Sequence, residues 1–212
     1  LRVVLGADTA QFETGMKRAS SRAQRVARGI SNAFKIATAA IAAAGLAIGV
    51  AVRGAINEAD KMSKAAQSVG LATDELSRLA HAADLSGVSF ETLSKAMQRL
   101  SVNMNDVANG VGETAGRAFE QLGIAVTTAD GAFKSSTTIF GEVADRFAGL
   151  DDGARKTAIA IALFGRAGAD LVPLLNQGSS GIADMAAEAD CLGIVIDTRT
   201  GRAAEAFNDN LN

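Results

Sequence analysis

Gly70-Leu-Ala-Thr-Asp-Glu-Leu-Ser-Arg78 and Gly87-Val-Ser-Phe-Glu-Thr-Leu-Ser-Lys95 align at an offset of 17 residues. Each begins with a glycine suited to ending a helix. Thr73 or Ser89 then serves as an N-cap, and Asp74/Glu75 or Glu91 falls at the positive end of the next helix. This spacing predicts short capped helices joined by tight turns, a helix-turn-helix unit used twice.

Composition agrees. Hydrophobic residues make up 48% of the 212-residue chain, Gly is abundant at 22, there is one Pro (Pro173), and Trp and Tyr are absent. An all-β fold needs more aromatic and β-branched residues and more turn punctuation. The expected class is mainly α: a long N-terminal helix followed by a compact multi-helix domain with at most two short β segments.

Downstream, the pattern predicts helices over 137–149, 152–164, 167–177 and 179–191, with a last one from about 200. Pro173 is placed in the early part of its helix, where a missing N–H is best tolerated. A second echo lies at an offset of 70. Leu122-Gly-Ile-Ala-Val-Thr-Thr-Ala-Asp-Gly131 and Leu192-Gly-Ile-Val-Ile-Asp-Thr-Arg-Thr-Gly201 each read as a helix stopped at Gly, three extended apolar residues and a turn. Two such segments are candidates to pair as a small β-ladder.

Upstream, LRVVLGAD reads as one short strand, with Asp8 and Gln11 forming a capping box. From there apolar residues recur at 12, 16, 19, 23, 26, 27, 30, 34, 37 and 41, which is helical spacing. Arg18, Arg22 and Arg25 form a basic stripe beside them. The pattern continues to about Val69, with Gly29, Gly45, Gly49 and Gly54 as weak points. Unbroken, it makes a rod of about 90 Å. The expected division is 1–69, a basic and apolar extended helical segment, and 70–212, a compact α-helical domain. Charge divides in a similar way. Residues 1–57 carry a net +6 and the remainder a net −8, so the two parts suit different surroundings.

Residues 36–52 are uncharged, held between Lys35 and Arg53. At helical rise they cover about 26 Å against a hydrocarbon core of about 30 Å. Gly45 and Gly49 form a G-x-x-x-G. Ala37, Ile41, Gly45 and Gly49 follow one another at i+4, the spacing of a close-packing helix face. Three readings stay open for this stretch: a soluble helix core, a face against copies of itself, or a membrane-inserted segment over Ile36–Val52.

No catalytic constellation can be assembled. His81 is the single histidine, too few for a histidine metal cluster, and reads as a half-buried or surface side chain. Cys191 is the single cysteine. It can form no internal disulfide and reads as a small buried apolar residue. Gly178-Ser-Ser-Gly181 lacks the spacing of a nucleophile elbow. Gly165-Arg-Ala-Gly168 lacks the Lys-Ser/Thr of a phosphate loop and reads as a helix–helix turn. Asp151-Asp152 reads as a helix cap rather than an acid–base pair. No cofactor, metal or enzymatic activity is expected. The basic stripe allows only nonspecific, salt-dependent contact with nucleic acid, because stacking residues are lacking. The chain begins with Leu1 rather than methionine, as expected of a fragment or processed product. The apolar stretch starts too far in for an ordinary signal peptide.

Leu163-Phe-Gly-Arg-Ala-Gly-Ala-Asp-Leu-Val-Pro-Leu-Leu-Asn-Gln-Gly178, with Asp151-Asp-Gly-Ala-Arg-Lys-Thr-Ala158 before it, resembles tail tape measure proteins of long-tailed bacteriophages and prophages. Val69–Leu79, Leu85–Ser89 and Ala7–Phe12 fit the same pattern in the same order. The resemblance therefore covers nearly the whole chain, through packing motifs rather than catalytic ones. It implies an α-helical, partly coiled-coil virion protein made in the host cytoplasm and housed in the tail lumen. There it sets tail length while tail tube proteins assemble around it with tail assembly chaperones. It further implies self-association and contact with the host inner membrane during genome delivery. Family members are far longer, so this chain would be an N-terminal part. Cell-wall hydrolase activity, carried by some members, is not implied. A membrane-active module and a soluble helical adaptor unrelated to phage are the competing readings.

Overall fold

The computed structural model of the chain describes residues 45–211, and these are mainly α-helical. The predicted N-terminal strand, the Asp8 cap, the basic stripe and the helix before residue 45 lie outside the described residues. The first described helix, α1 (Gly45–Val69), runs without a break through Gly49 and Gly54. It ends at Gly70, whose φ of 70° gives the left-handed turn that glycine adopts without steric cost.

Helices α2 (Thr73–Leu85) and α3 (Phe90–Ala108) are the two halves of the 17-residue echo. Ser89 is the N-cap of α3 and accepts a hydrogen bond from the Thr92 amide at 3.2 Å, as its position predicts. Thr73 is not the cap of α2. That place belongs to Ala72, whose amide donates to Glu75 Oε2 at 3.4 Å, while Thr73 is the buried first helical residue. The glutamate three residues on supplies the half of a capping box that alanine cannot.

There follow α4 (Glu113–Leu122), α5 (Ser136–Ala148), α6 (Ala154–Phe164), a 3₁₀ turn (Gly165–Ala167), α7 (Gly168–Leu175), α8 (Gly178–Leu192) and α9 (Thr198–Leu211). Pro173 is sixth of the eight residues of α7, not early in its helix. The turn before it is 3₁₀, so the α-helix starts only at Gly168. The second echo holds in its first half. Gly123 and Gly193 both take φ of 65° and end helices, and Thr128–Gly131 forms the expected turn. The β-ladder between the two segments does not form. The β pairing among the described residues is an isolated antiparallel bridge, Thr127 to Phe133, closed locally across that turn. The second segment instead starts α9, with the Asp197 carboxylate accepting from the Thr200 amide at 2.6 Å.

α3 is the hub, packing against α2, α4, α5, α6 and α7. Its buried residues Leu93, Ala96, Met97, Leu100, Asn103 and Met104 follow helical periodicity. Around them lie Leu76 of α2, Phe119 of α4, Ile139 and Phe147 of α5, Leu163 of α6 and Leu171, Leu174 and Leu175 of α7, all almost wholly buried. Phe140 and Phe164 meet edge to face with ring centroids 5.8 Å apart. By its internal contacts the compact unit comprises Ile56–Cys191 and Val195–Asn212. It takes in the later turns of α1, where Ala59, Met62, Ala66 and Val69 are buried, and so begins before the expected boundary at residue 70.

Candidate functional site

Of the small-residue face proposed from the sequence, Ala37 and Ile41 lie outside the described residues. Gly45 and Gly49 fall in the first turns of α1, where the backbone is helical. The motif-bearing run Leu163–Gly178 is fully described.

It forms a sharp corner between α6 and α7. Gly165 leaves α6 with φ 70° and ψ −160°, a conformation that L side chains rarely adopt, and begins the 3₁₀ turn. Gly168, three residues on, lies against the Ala160 carbonyl, where a β-carbon would overlap its oxygen. Gly165-Arg-Ala-Gly168 is thus the helix–helix turn its spacing suggests. Ala154–Leu175 is, among the described residues, the helical run apolar and long enough to cross a membrane, yet it breaks at this corner. Its buried side chains, Ile159, Leu163, Phe164, Leu171, Leu174 and Leu175, belong to the core.

Polar side chains hold the α6–α7 pair at both ends, Asn103 at the corner and Lys156, Asp152 and Asn176 where α6 starts and α7 stops. Asn103 of α3, buried at 4% exposure, donates through Nδ2 to the carbonyls of Ala162 (3.1 Å) and Leu163 (2.8 Å). These belong to the last turn of α6, whose carbonyls have no intrahelical partner. Lys156, 3% exposed, donates to the Leu150 carbonyl and to Asp152 Oδ1, both at 2.9 Å, with its ammonium 5.9 Å from the centroid of the Phe147 ring. Asn176, at the end of α7, reaches the same Asp152 oxygen at 3.3 Å. The Lys156 ammonium, then the Asn176 amide, hold the Asp152 carboxyl below the ordinary aspartate range. Asp152 therefore clamps a buried lysine rather than capping α6, whose N-cap is Gly153 with no side-chain hydrogen bond. Asp145 of α5 accepts from the Ser179 amide at 2.7 Å, and contacts from Ser179 lower its pKa as well.

Two open grooves flank the hub. One, of about 530 Å³, lies beside the corner and is lined by Arg99, Asn103, Asp106, Val111, Glu113 and Ile161, among others. The other, of about 560 Å³, lies between Glu58, Lys61, Phe90 and Lys95. No histidine or cysteine lines either. His81 is half-buried in α2 as expected, away from both grooves. Cys191 differs from expectation: it is exposed in the last turn of α8 rather than buried. Among the described residues no group of three or more His, Cys, Asp or Glu is placed to hold a metal.

Sequence reasoning overlooked Asn103 and Lys156. Asn103 carried a readable signal, because it follows Ala96 by seven residues and Leu100 by three, on the apolar register of α3. Lys156 carried none, since a lysine in a first helical turn is ordinarily solvated. Comparison with family models, curated proteins and solved structures finds no match to this chain.

Proposed function

We propose that this chain is part of a tail tape measure protein of a long-tailed bacteriophage or prophage, N-terminal in the order of that family's motifs. It acts as a non-enzymatic scaffold. Its helical length sets the length of the tail, and lateral contacts organise tail tube proteins with their assembly chaperones. Virion and tail lumen are its place, self-association its oligomeric habit, and assistance to genome delivery at the host envelope a later step.

The observation that carries this reading is the resemblance over Leu163–Gly178, and the kind of residue that carries it. Two glycines of this run each meet a specific backbone requirement, Gly165 through its positive φ and Gly168 through its contact with a carbonyl. Similarity at such positions is harder to reach by shared composition than similarity at exposed alanines. A multi-helix domain also suits a protein that works by contact rather than catalysis.

The test uses the full-length gene in its phage. Deleting whole heptads of helical sequence should shorten the tail by about 10 Å per heptad, measured by electron microscopy. Tails of unchanged length would sink the ruler reading. Tails that fail to assemble after loss of the compact unit alone, with length unaffected by heptad deletion, would assign this region to initiation instead.

A further inference from the structure

α9 is attached differently from every helix around the hub. The continuous apolar core draws no residue from it. Its buried residues are small, Gly201 and Ala204, and its large apolar side chain Phe207 is 47% exposed. What holds it is polar. Glu205 accepts from Gln67 Nε2 at 2.9 Å and from Ser63 Oγ at 3.3 Å, both on α1. Asn208 Nδ2 donates to Asp60 at 2.9 Å and to Asn57 at 3.1 Å. Thr198 reaches Asp74 of α2 at 3.4 Å, and the Ile196 amide in the linker before α9 donates to Ser77 Oγ at 3.0 Å.

The surface beneath is equally unusual. Asp60, Ser63, Thr73 and Ser77 are four of the six buried polar or charged residues among those described, and all lie under α9 or its linker. A covering helix normally hides apolar area, whose exposure opposes its departure. Here departure uncovers hydroxyls and a carboxylate that water satisfies, and the buried apolar side chain that α9 itself gives up is an alanine, Ala204. The connection permits it: Gly193 ends α8 at φ 65°, and four residues without regular structure lead to Thr198.

We propose that α9 is a displaceable lid. It docks on α1 and α2 through polar contacts and opens as one unit while the core built around α3 stays folded. The open state bares the polar stripe Asp60, Ser63, Thr73 and Ser77. Opening of this lid is independent of the functional reading above.

Native-state hydrogen exchange on the 212-residue chain tests it. Amides of 200–210 should share one opening rate, with protection at least about tenfold below that of α3 and α6 and a weaker dependence on denaturant. Gly201→Leu gives a sharper result. A β-carbon there would already lie 3.0 Å from Ser63 Cβ and 3.1 Å from Thr73 Cγ2, so the larger side chain should hold the lid open. Protection of α9 should then vanish while that of α3 and α6 persists. In a Cys191→Ser background, oxidised Gln67→Cys/Glu205→Cys should raise α9 protection toward that of the core. The proposal is overturned if α9 exchanges at the global rate of α3, if protection falls off gradually toward Leu211 as in end fraying, or if Gly201→Leu strips α3 and α6 as much as α9. A crosslink that forms without slowing α9 exchange also overturns it.

Discussion

Gly168 sits against the Ala160 carbonyl, with a hypothetical β-carbon overlapping the oxygen and lying 3.0 Å from the Ile161 nitrogen. The atoms in the way are backbone, so they cannot rotate aside as a side-chain tip would. Gly168→Ala should therefore cost about 3 kcal/mol or more, by forcing α6 and α7 apart at the corner. Gly54→Ala is the control. That glycine is in α1 with open space around its missing β-carbon, and the change should favour the helix by about 0.5–1 kcal/mol. Urea denaturation followed by circular dichroism separates the two. Equal effects would mean that the corner relaxes and the contact carries no specific cost.

Asn103 closes the end of α6 through its amide donors, which makes the substitution series informative. Asn103→Ala leaves the carbonyls of Ala162 and Leu163 without their partner and should cost about 1–3 kcal/mol. Asn103→Asp keeps the shape but aims a carboxylate at two carbonyl oxygens, so at neutral pH it should be the worse of the two. Burial and repulsion raise that carboxyl's folded pKa, so its penalty is present above that value and shrinks as acid protonates it. A stability difference between the two variants that stays constant from pH 7 to pH 4 would contradict this account.

These residues show what was legible in the sequence. Local signals read well because their cause is local. Gly70, Gly123 and Gly193 end helices through φ values that glycine reaches without penalty, and Ser89 caps α3 with its own hydroxyl. Long-range partnerships did not read. Asp152 looked like a cap because it precedes α6, but a lysine one turn on and Asn176, 24 residues away, decide where its carboxylate goes. The β-ladder between the 122–131 and 192–201 segments failed because each segment meets its partners locally. Similar sequences supplied similar exits from a helix, but Asp197 engages the Thr200 amide and starts a helix, whereas Thr127 bridges to Phe133 across its own turn. The proposed face Ala37, Ile41, Gly45 and Gly49 drew on periodicity alone.

Cys191 tests a burial that composition predicts wrongly. Free cysteines are among the most buried residues, yet this one is exposed at the end of α8. Ellman's reagent should titrate one thiol per chain in native buffer, at a rate that changes less than about tenfold on adding denaturant. A thiol that reacts only after unfolding would show that α8 ends in a more enclosed setting.

The docking of α9 should weaken in acid. Asp60, Asp74 and Asp197 each hold a carboxyl below its ordinary value: the first chiefly through Asn208, the second through Arg78 with a smaller share from Thr198, the third through the Thr200 amide and hydroxyl. Lys64, Arg78 and Arg199 are the cations acting on these acids, Asp190 of α8 shares Arg78 with Asp74, and Glu205 and Asp209 are the other acids of α9 facing Lys64. A carboxyl whose folded pKa is depressed contributes stability that is present above its unfolded value, near pH 4, and lost as pH falls through the lower folded value. Protection of the α9 amides should accordingly decline on going from pH 5 to pH 3, after correction for intrinsic exchange. Asp197→Asn separates charge from capping, because asparagine also accepts from the Thr200 amide but does not titrate. That variant should keep α9 docked at pH 5 and lose less of its protection at pH 3 than the parent chain. If it loses as much, Asp197 contributes nothing to the acid response, and Asp60, with the small Thr198 share at Asp74, accounts for it.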